Sequence, residues 1–398
     1  MPDLRSGAVG GAAWVAGLPW RLKPGRGRPL SPSDERLRRV VVIKPCCMGD
    51  VLMSTPAIAA LREALPQAHI AMAVAPWSLR AVENNPRLDS LIDSPAGRQA
   101  TTTADYMALV RLIRREGFGA ALVLDRSPLL NLVPYLAGVP ARAGLDSGNR
   151  GLALTHPVRC PSNLARHEVQ WYLDVVRALG LPAPEERAYL EFYPTEEERA
   201  EATNALREAG DEGESEVGYV AIHLGGGVNP GMRLLSKRWH PEGWARIADW
   251  LAETYESTVV LLGGPGKEDR EAADAVKAAL FPATRAYVVD LVGKLGWGEL
   301  GAMIERCGLF LGNDTGAMHL ATAVRTPVVA VFGPSDPARF GPWDPSGRST
   351  VVAPESSGSD AGSLRRAAAG GEAYNSLISP EEVWEAVERV YAGVLARA

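Results

Sequence analysis

From Arg39 onward the chain alternates between short apolar, β-rich runs and longer segments with helical spacing, and this alternation limits the fold more than any other feature. Residues 40–43, 70–74 and 120–124 are compact strand-like runs, with helical patterns such as residues 106–115 between them. A second series follows an acidic stretch, with strand-like runs at residues 219–223, 258–262, 287–291, 309–311 and 328–332. Uniformly apolar strands separated by helices predict an α/β fold with doubly wound parallel sheets. Two series predict two Rossmann-like domains. Open sheets of this kind bind ligands beyond the carboxyl ends of their strands, so a cleft between facing domains is the expected site.

The expected organisation is a flexible tail over residues 1–36, an N-terminal domain over 37–209, a C-terminal domain over 217–378, and a last helix over 379–398 packing across the domains. Gly210 to Glu216 reads as the linker, and residues 353–376, rich in Ser, Gly and Ala, as a mobile loop. Ser379-Pro-Glu-Glu382 is a capping box with proline at the first helical position. The tail combines a glycine-rich apolar stretch with Arg21, Lys23, Arg26 and Arg28. Positive charge after the apolar stretch is the wrong order for a signal peptide. It suits a surface contact with anionic lipid, and on this reading deleting the tail is neutral for stability.

The 398 residues are 46% hydrophobic, enough for two cores, and the net charge of -5 argues against a nucleic-acid binder. Four cysteines, among them the adjacent Cys46 and Cys47, form neither a disulfide framework nor a metal-ligand pattern. They read as small packing residues in a reducing cytoplasm. No run of about 18 apolar residues is present, so no membrane span is expected.

Several strand ends carry chemistry. Gly312-Asn-Asp-Thr-Gly316 turns the chain directly into a helix whose first N–H groups lack internal partners and favour a diphosphate. Asp314 and Thr315 are placed to cap that turn or to bond a ribose or phosphate oxygen, and His319 lies one turn further on. Gly225 and Gly226 leave another strand end bare enough for close approach of a ligand. Lys237 and Arg238 precede a helix start, where cations are disfavoured unless an anion offsets them. Glu268, at a third glycine-rich turn, is the candidate ribose contact. Asp50 follows the first strand in Lys44-Pro-Cys-Cys-Met-Gly-Asp50 and is either a helix cap or a base for an attacking hydroxyl. Residues 332–343 form a proline-rich rim. Pro230 fills the third glycine of the dinucleotide fingerprint, and no Walker sequence occurs, which disfavours oxidoreductase and NTPase readings.

As a set, Met48-Gly-Asp-Val-Leu-Met-Ser-Thr-Pro-Ala-Ile58, Ser236-Lys-Arg-Trp239, Gly312-Asn-Asp-Thr-Gly-Ala-Met-His-Leu320 and Ser379-Pro-Glu-Glu-Val383 resemble glycosyltransferase family 9, the lipopolysaccharide heptosyltransferase-like enzymes. The resemblance runs over about residues 39–395. It implies a GT-B fold and metal-independent, inverting transfer of a sugar from a nucleotide diphosphate donor, with no cofactor. It also implies Asp50 as general base, Lys237 on the donor phosphates, and Asp314, Thr315, Gly316 and His319 around the donor. Two features depart from the family pattern: the N-terminal tail, and the lack of cysteines in residues 353–376. The expected partners are a nucleotide sugar and a glycan or lipid-linked acceptor of the cell envelope or of an exopolysaccharide, at the inner face of the plasma membrane. The alternatives are a GT-B-like nucleotide-sugar epimerase and a non-catalytic nucleotide-sugar-binding protein.

Overall fold

The computed structural model describes residues 27–97, 101–148, 150–161, 165–211, 218–229, 232–354 and 377–395. It divides into two compact units, residues 1–188 and 189–398. The first runs β1 (Arg39–Ile43), α1 (Met48–Ala64), β2 (His69–Val74), β3 (Ser90–Asp93), α2 (Thr103–Glu116), β4 (Ala120–Val123), α3 (Pro128–Ala137), β5 (Ala141–Asp146), β6 (His156–Arg159) and α4 (Glu168–Ala178). All neighbours in its sheet are parallel, in the order β3-β2-β1-β4-β5-β6. The winding reverses between β1 and β4, where Ile43 pairs with Val123. Val41, Ile43, Ala71, Ala73 and Val123 pack with Leu109 and Ile113 of α2 and Val133 of α3. Helices on the sheet explain why these strands read as continuous apolar runs.

The second unit runs α5 (Glu196–Glu208), β7 (Tyr219–His223), β8 (Val228–Asn229), β9 (Met232–Arg233), α6 (Pro241–Tyr255), β10 (Thr258–Leu262), α7 (Lys267–Ala279), β11 (Val288–Asp290), α8 (Trp297–Glu305), β12 (Cys307–Asn313), α9 (Gly316–Ala323), β13 (Val328–Val331), α10 (Pro337–Phe340), β14 (Thr350–Val352) and α11 (Pro380–Leu395). Its parallel sheet has the order β11-β10-β7-β12-β13-β14 and reverses between β7 and β12. The two doubly wound α/β units are those of the expected GT-B type. The expected capping box is formed, with the Ser379 and Glu382 side chains each accepting the other's backbone N–H.

Three expectations change. Residues 27–36 pack on the first unit: Leu30 is buried, its N–H donates to Leu179 O at 2.7 Å, and His156 Nε2 donates to Arg28 O. Gly180, at φ +94°, lets the Leu30 backbone come so close that a Cβ would meet it at 2.7 Å. The rest of the expected tail, residues 1–26, lies outside the described residues, as do 212–217 of the linker and 355–376 of the loop. The unit boundary falls ahead of residue 209, because α5 packs on α8 of the second unit, with Arg199 paired to Glu305 at 2.7 Å. The last helix belongs to the second unit, where it packs on α6 and on β12, β13 and β14. Cys46 and Cys47, expected as separate packing residues, are bonded to each other in the turn between β1 and α1.

Candidate functional site

In the first unit the switch point gathers charge. Lys44 follows β1 and has only 5% of its side chain exposed. Its Nζ lies 3.4 Å from Asp50 Oδ2 in the first turn of α1 and 3.1 Å from Asp125 Oδ2 just past β4. Burial alone would depress the Lys44 ammonium, but Asp50, Tyr172 and Asp125 hold it well above its usual range. Beside them Glu168, at the start of α4, is 4% exposed and paired with Arg126. Burial pushes its carboxyl up to about 7, against the opposing pull of Arg126. Cys47, not Asp50, occupies the N-cap of α1, and it makes no side-chain cap bond. A carboxylate with one oxygen on a buried cation, at a strand end, is placed to accept a proton on the other.

In the second unit the switch point gathers the glycine turn and the start of α9. Gly226 and Gly227 adopt φ of +146° and +72°, and a Cβ on Gly226 would meet Thr315 Cγ2 at 2.8 Å. Glycine is therefore required for these two turns to lie against each other. The buried Asn313 ties three segments together. Its Nδ2 donates to Leu224 O and Gly225 O, and its Oδ1 accepts the Trp239 N–H at 2.8 Å. That last bond fixes the loop carrying Lys237, whose Nζ lies 2.6 Å from Asp314 Oδ2. Thr315 is the N-cap of α9 and accepts the Met318 N–H, so Gly316 begins the helix. His319 sits one turn in, buried, its carbonyl accepting the Thr322 hydroxyl.

Gly225, Gly226, Lys237, Asp314, Thr315 and Gly316 thus converge as the sequence suggested, but the cations are offset differently. Lys237 was expected to await an external anion, yet Asp314 partners it. Arg238 likewise pairs with Asp269 at 2.6 Å, and its Nε donates to Gly226 O. Asp269 also accepts the Gly264 N–H at 2.6 Å, so this buried acid, not its neighbour Glu268, braces the third glycine turn. Glu268 is more exposed, is bonded to Arg233 at 2.6 Å, and is lowered chiefly by that bond. It lines a cavity of about 370 Å³ with Leu224, Leu235, Arg238 and Trp239. His223, at the end of β7, is driven by burial down to about 4, against the pull of Asp269, so its ring is neutral at pH 7.

Sequence reasoning passed over Lys44, Asp125, Glu168, Asn313 and Asp269. Asp125 was within reach of it, since it follows β4 at the switch point beside β1. Glu168 carried no such signal. Among the described residues no three His, Cys, Asp or Glu side chains gather where they could hold a metal ion, and no helix is long and apolar enough to cross a membrane.

The family model for glycosyltransferase family 9 (heptosyltransferase) matches residues 106–362, more than half of the chain. The chain belongs to glycosyltransferase family 9. This family 9 glycosyltransferase is 27% identical to lipopolysaccharide heptosyltransferase 2 of Escherichia coli (strain K12) over 305 residues, 75% of this chain and 84% of the relative. It is 26% identical to lipopolysaccharide heptosyltransferase 3 of Escherichia coli over 303 residues, 74% of this chain and 83% of the relative. In fold it is similar to a solved family 9 glycosyl transferase from Veillonella parvula DSM 2008, with a TM-score of 0.72, 24% identity, and coverage of 92% of this chain and 99% of that one. It is also similar to the E. coli ADP-heptose lps heptosyltransferase II, with a TM-score of 0.66, 24% identity, and coverage of 89% and 99%.

Proposed function

We propose that this family 9 glycosyltransferase moves a heptose from a nucleotide diphosphate donor, ADP-heptose first among candidates, to a lipopolysaccharide-type acceptor, with inversion and without a metal ion or cofactor. The observation that carries this reading is the construction at the β7/β12 switch point: a glycine turn, an ammonium at Lys237 and the start of α9 all lie together. The names of the relatives, lipopolysaccharide heptosyltransferases, supply the sugar and the acceptor class. A diphosphate is neutralised by an ammonium and by open N–H groups at a helix start, and each preorganised donor is worth a few kcal/mol to a leaving group gaining charge. Lys237 keeps two ammonium hydrogens beyond its bond to Asp314, enough for two phosphate oxygens. Gly225 and Gly226 let the donor approach the backbone, and Glu268, which lines the cavity, is the candidate ribose contact.

At the first unit, Asp50 takes the proton of the acceptor hydroxyl as that oxygen attacks the anomeric carbon. The new glycosidic bond forms as the carbon–diphosphate bond breaks, and the electron pair leaves with the nucleotide diphosphate. Attack opposite the leaving group inverts the anomeric centre. The reading places the enzyme in the cytoplasm at the inner face of the membrane, where such acceptors are assembled.

The test is binding of free nucleotides. ADP, GDP, UDP and dTDP are screened by thermal shift, and the one that binds is titrated calorimetrically against Lys237→Met and His319→Ala. ADP is expected to stabilise most, and Lys237→Met to weaken it by roughly tenfold or more, the worth of a charge-assisted bond. His319→Ala is expected to weaken it less, because the ring is buried. Unchanged affinity in both variants would remove the donor site from this turn.

A further inference from the structure

Lys44 has no place in the chemistry so far, although it is the most deeply buried cation next to the proposed base. Its ammonium sits beneath two carboxylates that are far more open than it is, with Asp50 and Asp125 at 32% and 24% side-chain exposure. Asp125 is itself held, its Oδ1 accepting the Ser127 N–H at 2.8 Å just ahead of α3. β1 fixes Lys44 from below and the β4–α3 turn fixes Asp125 from the side. The ammonium bonds only Oδ2 of Asp50, and among the described residues that is the only recorded side-chain partner of this carboxylate. Oδ1 is therefore left for an incoming hydroxyl. The other charged or titratable groups that interact with Asp50 are Glu168 and Tyr172 of α4, with Arg126 of the β4–α3 turn paired to Glu168.

We propose that Lys44, braced by Asp125, is a positioning residue that fixes which oxygen of Asp50 faces the acceptor hydroxyl. The inference rests on the reading of Asp50 as general base. Removing Lys44 leaves Asp50 free to rotate away from the acceptor hydroxyl, and that loss of placement reduces its competence as a base. Arginine would retain the charge but not the geometry.

The experiment measures kcat and KM, with ADP-heptose and a heptose-deficient lipopolysaccharide core as substrates, for Asp50→Asn, Lys44→Met, Lys44→Arg, Asp125→Asn and the Asp50→Asn/Lys44→Met double variant. Melting temperatures and ADP affinities are recorded for each. Lys44→Met should lower kcat by roughly 10- to 100-fold with donor KM and ADP affinity kept, and Lys44→Arg should recover part of the loss. Asp125→Asn should lower kcat less. In the Asp50→Asn background, Lys44→Met should cost nothing further, because it acts through Asp50. Near-wild-type kcat in Lys44→Met, or full additivity in the double variant, would overturn the inference and leave Asp50 as base untouched. Near-wild-type kcat in Asp50→Asn would instead overturn the base itself. If Lys44→Met fails to fold, Lys44→Arg and Asp125→Asn decide, and wild-type kcat in both would count against the proposal.

Discussion

Glu168 shows how far burial can move one residue. Its carboxyl stands at about 7 against an ordinary 4.5, so the folded protein binds that proton more tightly than the unfolded chain does. An acid raised in this way favours the native state fully below about pH 4.5 and loses that advantage as pH rises through about 7, by up to roughly 3 kcal/mol. Glu168→Gln should therefore flatten the fall in melting temperature between about pH 5 and pH 8. An unaltered slope would mean that Arg126 keeps the carboxylate ionised throughout. At this scale the sequence was partly legible. Asp50 and Asp314 stand near glycines at strand ends, and Lys237 precedes a helix start, so all three could be picked out. Asp125 could have been picked out too, at a strand end beside β1, whereas Glu168 and Asp269 take their ion-pair partners Arg126 and Arg238 from distant parts of the chain.

At the scale of elements, Asn313 is the residue on which the second unit's site depends. It ends β12, and its side chain joins the glycine turn after β7 to the loop before α6. Asn313→Ala leaves the Trp239 N–H and two carbonyls without partners in a dry setting, at a cost of about 1–3 kcal/mol each where unmet. The denaturation midpoint should fall and ADP should bind more weakly, since the Lys237 loop loses its tether. Full retention of ADP affinity would show that Lys237 is fixed by Asp314 alone. The strands that carried the site were readable because both faces are covered and their residues are uniformly apolar: β7 and β10 fall where the pattern put them. β5 was not readable. Its Arg142 is buried inside the strand and bonds the carbonyls of Val139, Pro140 and Ala153, so a charged residue marks what composition would call a loop. β3 and β14 are short edge strands with too few residues to show a period.

Across the whole molecule, two doubly wound units were foreseeable from two series of strand-like runs, but their limits were not. Leu30 lies in a stretch whose Gly, Pro and Arg content suggested a free tail, and its packing depends on Leu179 and Gly180 of the α4 end. Deleting residues 1–36 should lower the melting temperature, and Leu30→Ala alone should cost about 2–3 kcal/mol, the usual penalty for emptying a buried leucine site. A melting temperature unchanged by the deletion would mean that this contact contributes nothing net.

The central claim concerns transfer itself. The deciding measurement incubates the full chain with ADP-heptose and a heptose-deficient lipopolysaccharide core in excess EDTA, and follows both the nucleotide and the anomeric configuration of the product by NMR. ADP should be released in step with one heptose joined to the acceptor, its anomeric centre inverted relative to the donor. Retention of configuration, dependence on an added metal, or conversion of the nucleotide sugar with no acceptor present would contradict it.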